Sequence, residues 1–277
     1  MKAAILQLNV SDDPAANLAT TRAMLEDAVA QGAKFVLTPE VTNCISTNRA
    51  HQRDVLHHEE DDPTLAALRM DAQALGVWLL IGSLALKTSD ADGRFANRSF
   101  LIDPQGEIVA RYDKIHMFDV QVTQTETWKE SAAYRPGSKA ALAQTPFGAI
   151  GMTICYDVRF PALFQRLAQA GADILTVPSA FSPVTGKAHW HTLLRARAIE
   201  TGCFVIAPAQ TGTHASNAHK TRDTHGHSLV VAPWGEVILD AGSEAGVYMF
   251  ELDLGQTTIA RGRVPSISHI RPFDGPV

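Results

Sequence analysis

Short apolar runs alternate along this chain with longer amphipathic stretches, and the alternation predicts strands and helices in turn. Residues 2–9 read as a strand. Residues 15–31 follow a helical period and stop at Gly32, a residue suited to closing a helix. Lys34 to Thr38 is a brief apolar strand that delivers Glu40. Asp61, Asp62 and Pro63 mark the start of a helix over 64–75, which Gly76 ends. Val77 to Leu86 is almost continuously apolar, the mark of a strand buried on both faces. Strands over 95–102 and 107–112 flank the turn Asp103-Pro104-Gln105-Gly106. Residues 113–146 show no period and read as an irregular polar segment, a length that inside a compact domain usually carries function.

The second half has the same style. A strand over 149–154 is followed by a helix over 160–170 ending at Gly171, and a strand over 174–177 by a helix over 188–201. Strands over 203–208, 227–232, 236–240 and 246–253 follow, with Pro233-Trp234-Gly235 as a turn. In the 188–201 helix, Leu193, Leu194, Ala198 and Ile199 form a stripe for a core or an interface. No linker, low-complexity tract or charge block interrupts the chain, so a single domain over 1–277 is expected. Mixed strands and helices throughout predict an α/β layered architecture with antiparallel hairpins in its sheets.

Composition narrows the setting. Hydrophobic residues make up 45% of the 277 and charged residues 19%, which suits a globular protein with a sizeable core. A formal net charge of -5 gives no electrostatic reason to expect nucleic acid or an acidic membrane surface. No long uncharged apolar run predicts a transmembrane helix, and no small-residue cleavage site follows the N-terminal apolar run. Cys44, Cys155 and Cys203 are an odd count without framework spacing, as expected of free thiols in a reducing cytoplasm.

Three of the apolar strands end in reactive groups. Gly151-Met152-Thr153-Ile154 runs into Cys155-Tyr156-Asp157-Val158-Arg159, a strand-to-helix elbow with a thiol at its tip. Leu37-Thr38-Pro39 runs into Glu40, and Arg111-Tyr112-Asp113 into Lys114. A free thiol titrates near 8.5, so it needs help at neutral pH; an ammonium favours the thiolate, and a carboxylate helps only by taking the proton itself. Glu40 therefore reads as the general base. Attack on an amide carbonyl creates an oxyanion, for which the Lys114 ammonium and the Tyr156 backbone N–H are candidate donors. Each residue also has a plain reading: a packed cysteine, a surface carboxylate after Pro39, a lysine paired with Asp113. Their shared placement at strand ends weighs against all three plain readings at once.

These runs resemble the signature segments of the nitrilase superfamily of carbon–nitrogen hydrolases. The similarity rests on Thr38-Pro39-Glu40, on Asp113 to Asp119 and on Cys155 to Pro161. It continues through Pro178 to Phe181, Gly186 to Trp190, Leu194 to Glu200 and Gly226 to Val231. Within the superfamily the segments are most similar to the branch containing deaminated glutathione amidase and omega-amidase. The resemblance implies a four-layer αββα sandwich, a homodimer or larger homo-oligomer, and no cofactor. It implies a catalytic triad of Glu40, Lys114 and Cys155, with Glu130 matching a second active-site glutamate. The implied reaction converts a small carboxylate-bearing amide to an acid and ammonia through a cysteine thioester, with Tyr156, Arg159 and Phe181 as substrate-binding residues. Two positions depart from the branch: Ala162 and His191 stand where glutamate is common. Residues 41–60 match nothing closely.

Other polar residues carry weaker signals. His189 and His191 are two apart on a helix and do not share a face, whereas His225 and His227 at a strand start can. No further ligand has metal-site spacing, so no metal is expected. Arg159, four residues after Cys155, either binds a substrate carboxylate or pairs with Asp157 or another acidic neighbour to hold the elbow. The basic stretch from His214 to Arg222 either steers an anionic substrate or is a solvated loop.

Overall fold

The structure is a computed structural model, and it describes residues 1–124, 126–216 and 221–275. In chain order the first half contains β1 (Lys2–Gln7), α1 (Pro14–Ala30), β2 (Phe35–Leu37), α2 (Arg49–Val55) and α3 (Pro63–Leu75). There follow β3 (Trp78–Leu86), β4 (Ala96–Ile102), β5 (Ile108–Asp113), β6 (Asp119–Gln121), β7 (Thr127–Lys129) and β8 (Ala141–Thr145). The second half contains β9 (Gly148–Met152), α4 (Pro161–Gln169), β10 (Ile174–Thr176), α5 (Pro183–Thr201) and β11 (Phe204–Ala207). It ends with β12 (Thr211–His214), β13 (Arg222–His225), β14 (Leu229–Val231), β15 (Val237–Asp240), β16 (Gly246–Glu251) and α6 (Gly255–Arg263).

Among the described residues these strands form two six-stranded sheets, β16-β1-β2-β3-β4-β5 and β15-β14-β11-β10-β9-β8, and two small ribbons. The centre of each sheet is parallel and its flanks are antiparallel. Side-chain alternation along β1 sets the layering. Ala3 and Ile5 join one core with Ile150 and Met152 of the other sheet, while Ala4 and Leu6 join Leu25 of α1 and Leu68 of α3. α4 and α5 cover the far face of the second sheet with Phe164, Leu167, Trp190 and Leu194. The result is the expected αββα order.

The helix ends follow local chemistry. Asp13 caps α1 by accepting from the N–H groups of Ala15 and Ala16, and Asp62 caps α3 through the Leu65 N–H at 2.8 Å. A bidentate Arg22–Asp71 pair joins α1 to α3. One glycine matters for the join between sheets. A Cβ on Gly82, inside β3, would lie 2.5 Å from both the Pro39 carbonyl oxygen and the Pro178 Cβ, so only glycine lets the two sheets approach there. The β3–β4 register shifts between Ile81 and Leu84, at this same place.

Several elements differ from expectation. Residues 113–146 are not irregular throughout: they hold the β6–β7 ribbon and β8, the edge of the second sheet. Their strands are too short and too polar to show a period. α5 begins at Pro183, five positions before the predicted start, because Pro183 is suited to a first helical turn. The α4 stripe (Leu163, Phe164, Leu167) and the α5 residues Leu194 and Ala198 are buried in the core, leaving Val184 and Ile199 exposed on α5. α2, the β12–β13 ribbon and α6 were not anticipated. Residues 217–220 of the basic stretch lie outside the described residues. Among the described residues no helix is long and apolar enough to cross a membrane.

β12 is tied to the segment that follows β1 by His214, whose Nδ1 lies 2.6 Å from the Val10 carbonyl and whose Nε2 lies 2.7 Å from Thr224 Oγ1. A neutral imidazole satisfies both, donating to the carbonyl and accepting from the hydroxyl. Burial pushes its pKa down to about 4 from 6.5. The unfolded chain therefore binds more protons between these values. His214 contributes stability that is complete above pH 6.5 and lost as pH falls towards 4, on the order of 3 kcal/mol. Urea unfolding midpoints measured across that window should fall more steeply for the native chain than for His214→Gln.

Candidate active site

Three strand ends converge. β2 ends at Leu37, and Thr38 to Glu40 then turn sharply, with Gly82 N donating to Thr38 Oγ1 at 3.0 Å and Val41 N to Ser83 Oγ at 2.8 Å. Val41 sits in the left-handed region, with φ of 50°. β5 ends at Asp113, and the Lys114 backbone bonds to the Asn97 carbonyl and accepts from Gly137 N. β9 runs on to Cys155, whose φ of 51° is also left-handed and whose N–H donates to the Pro178 carbonyl at 2.9 Å. Strain of this kind persists only where surrounding contacts enforce it. A short 3-10 turn, Cys155–Arg159, separates the thiol from α4, so the helix does not start directly at the elbow.

Lys114 is 2% exposed, and its Nζ donates to Glu40 Oε1 at 2.8 Å and to both Glu130 oxygens at 2.8 and 2.9 Å. Further donors reach both carboxylates. Asn97 Nδ2 donates to Glu40 Oε1 and the Ala180 N–H to Oε2, both at 2.8 Å, and the Phe118 N–H reaches Glu130 Oε2 at 2.6 Å. Burial pushes the Glu40 carboxyl up, but the Lys114 ammonium outweighs it and holds the group below its usual range. Burial likewise disfavours the Lys114 ammonium, yet Glu130 and Glu40 together raise its pKa well above the ordinary value. The Cys155 thiol is pushed up, first by burial and then by Glu40, with Lys114 opposing. At rest the site holds a carboxylate, an ammonium and a neutral thiol.

The elbow is pinned from below by Asp157, which is fully buried. Its carboxylate accepts from Tyr112 OH at 2.7 Å, Ile154 N at 2.9 Å and His116 N at 3.0 Å, and faces His116 Nδ1 at 2.7 Å. Tyr112 and His116 flank Lys114 in sequence, so one carboxylate fixes the ammonium's strand against the thiol's turn. Asp157 is thus not available to Arg159, and the Arg159–Asp157 pair, one of the alternatives for this arginine, does not form. The Arg159 guanidinium instead lies 3.3 Å from His189 Nδ1 and over the Tyr156 and Phe181 rings at 5.8 and 5.5 Å. Nor is Lys114 paired with Asp113, which bonds Arg98.

Above the triad opens a cavity of about 350 Å³. Glu40, Lys114, Glu130, Cys155, Tyr156 and Phe181 all line it; Arg159 does not. Its wall also contains residues that sequence reasoning missed: Arg49 on α2, Phe118, Trp128, Tyr134 and Asn97. Arg222, the last residue of the basic stretch, lines it too, donating to the Ala180 carbonyl at 2.7 Å with its guanidinium 5.0 Å from the Trp128 ring. Asn97 carried no distinguishing signal, since it stands beside Arg98 and Ser99 in a strand whose first half is polar.

The carbon-nitrogen hydrolase family profile matches residues 2–261. The chain belongs to the carbon-nitrogen hydrolase family. It is 38% identical over 269 residues to a deaminated glutathione amidase of Yersinia enterocolitica, covering 97% of this chain and 92% of that protein. It is 37% identical over 274 residues to the Homo sapiens protein of the same name, covering 97% and 82%. The solved structure of the C. elegans NitFhit protein superposes with a TM-score of 0.90 at 35% identity over 98% of this chain. That match covers 65% of NitFhit, so the present chain spans just under two thirds of its length. As a carbon-nitrogen hydrolase, the protein is an enzyme that cleaves carbon–nitrogen bonds.

Removing the Glu40 charge while keeping Lys114 should lower the pH at which Cys155 ionises. Iodoacetamide labelling of Cys155 as a function of pH should therefore shift to lower pH in Glu40→Gln. Cys44, pushed up to about 12 by burial, and buried Cys203, also raised, should stay silent in the same assay.

Proposed function

We propose that this carbon-nitrogen hydrolase is an amidase for a small amide bearing a carboxylate, of the deaminated glutathione class, acting through a thioester on Cys155. The observation carrying the proposal is the convergence of Cys155, Glu40 and Lys114 on one cavity that also admits the Arg222 guanidinium. Its volume of about 350 Å³ falls in the range usual for small-molecule sites. Deaminated glutathione would present carboxylates at both ends, and Arg222 and Arg49 supply cationic groups on the wall.

In the proposed reaction Cys155 Sγ attacks the amide carbonyl as its proton passes to Glu40. A raised thiol and a lowered carboxyl make a separate prior transfer unfavourable, so proton transfer runs together with attack. The carbonyl π electrons move to oxygen, where the Lys114 ammonium and the Tyr156 N–H meet the charge. The carbon–nitrogen bond then breaks, and Glu40 returns its proton to the departing nitrogen. A primary amide releases ammonia, and a substituted amide releases its amine. Glu40 next takes a proton from water as the water attacks the thioester, and that proton goes to the departing Cys155 sulfur. Glu130 holds Lys114 against the charge and shapes the cavity beside it. All these groups come from the chain itself, and no cofactor enters the scheme.

We further place the enzyme in the cytoplasm as a homodimer or larger assembly, with a single domain over 1–277. Three buried free cysteines suit a reducing compartment. Exposed apolar residues such as Val184, Ile199, Trp234 and Ile259 offer surface for a second subunit.

Lys114→Ala should lower kcat by about a hundred- to a thousandfold with a smaller change in KM, as expected for a donor to a charge that exists only after attack. A pure KM effect in steady-state kinetics would overturn that role. Arg222→Gln should raise KM for a carboxylate-bearing amide by about ten- to a hundredfold. Methyl esterification of the distal carboxylate should have the same effect on the native enzyme and little further effect on the variant. Equal hydrolysis of ester and acid would show that substrate choice does not depend on this charge.

A further inference from the structure

Outside the cavity, three metal-ligating side chains from distant parts of the sequence meet. His191 Nε2, on α5, lies 2.9 Å from Asp240 Oδ2 at the end of β15. His227 Nδ1, in the turn before β14, lies 2.8 Å from Asp240 Oδ1. One nitrogen from each imidazole and one carboxylate oxygen fall within 4.8 Å of one another. No metal cluster was expected from the sequence, because Asp240 gives no spacing signal beside His227.

The backbone around the cluster is held in an unusual way. The described residues include three non-glycine positions with left-handed φ. Two, Val41 and Cys155, adjoin or carry the proposed catalytic groups; the third is His227, with φ of 54°. Its carbonyl accepts from Trp190 Nε1 at 2.8 Å and its N–H donates to the Gly242 carbonyl at 2.6 Å. The Gly242 N–H in turn donates to Asp240 Oδ1 at 3.0 Å, orienting the carboxylate. Strained backbone with oriented ligands is the support that binding sites commonly carry.

We propose that His191, His227 and Asp240 form a binding site for a divalent transition-metal ion of the zinc class. Two imidazoles and a carboxylate suit zinc and disfavour magnesium or calcium, which take oxygen ligands. A tetrahedral zinc with bonds of roughly 2.0–2.1 Å has ligand–ligand edges of roughly 3.3–3.4 Å. The 2.8 and 2.9 Å contacts, made to different Asp240 oxygens, must open by about half an ångström, and the widest ligand–ligand edge, at most 4.8 Å, must close by up to about 1.4 Å, a change that side-chain rotation at these surface positions can supply. The side chains are 41%, 33% and 35% exposed, so an ion can enter and water can complete its coordination. The bound ion would tie α5 to the β14–β15 hairpin. Trp190 links this tie to the cavity wall, since its ring packs 4.9 Å from Phe181.

The test is titration of tag-free full-length protein with Co²⁺, followed by visible absorption. We expect one ion per chain, with tetrahedral d–d bands and no thiolate-to-cobalt charge-transfer band, and displacement by Zn²⁺ but not Mg²⁺. Asp240→Asn and His191→Ala should each weaken binding by at least tenfold, while Cys155→Ala should bind as the native chain does. Zn²⁺ should also raise the thermal midpoint of the native chain and leave that of Asp240→Asn unchanged. Three results would overturn the site: no saturable uptake by the native chain, unchanged affinity in both ligand variants, or a thiolate band that vanishes with Cys155→Ala. None of these readouts depends on the amidase reading, and loss of amidase activity would leave them unaltered.

Discussion

The ammonium of Lys114, buried between Glu40 and Glu130, is the interaction on which the site depends. Moving an unpaired ammonium out of water costs several kcal/mol, and so does moving each carboxylate. Together the three groups are tolerable only because nearly every acceptor position has a donor. Asn97, the Ala180 N–H and the Phe118 N–H complete the shell. Burial first, and then the Glu40 carboxylate beside it, keep Cys155 protonated at rest against the pull of Lys114. In the proposed reaction this arrangement couples loss of the thiol proton to attack on the carbonyl.

That cluster needs a rigid frame, and the two sheets provide it at their strand ends. Glu40 follows a central strand of the first sheet, Lys114 the edge strand of that sheet, and Cys155 a strand of the second. Each is delivered by a turn whose backbone is committed to other bonds. The Cys155 N–H is bound to Pro178, so an oxyanion must look elsewhere for donors. Asp157 then locks the Lys114 strand to the Cys155 turn, through side chains on either side of the lysine. Fixed geometry of this kind is what electrostatic stabilisation of a transition state requires.

Much of this frame was legible in the sequence, because buried strands write themselves as apolar runs. Val77 to Leu86 and Ala149 to Ile154 came within one or two residues of β3 and of the run through β9 to the elbow. The three catalytic candidates were legible because each terminates such a run. What escaped was polar and short. β6, β7 and β8 lie in a segment with too little hydrophobic contrast to signal pairing. For Arg159 the sequence left two readings open, and the pair with Asp157 is not made because a 3-10 turn sends the two side chains to opposite surroundings. Asp157 faces the buried hydroxyl and imidazole, and Arg159 faces aromatic rings near the surface. Arg222 was marked only as the end of a basic stretch, whereas Asp240 meets His191 and His227 only after the chain has folded back on itself, and no local pattern marks it.

The tight passage at Gly82 has a consequence for how this scaffold can change. With no room for even a methyl group between Pro39 and Pro178, the spacing of the two sheets cannot drift as residues are exchanged. The reacting groups, which hang from those sheets, cannot drift either. Diversification is left to the segments around the rim, such as α2, the β6–β7 ribbon and the stretch ending at Arg222, which reach the cavity without passing through the join. A designer seeking a new substrate would do well to rebuild that rim and leave the seam between the sheets untouched.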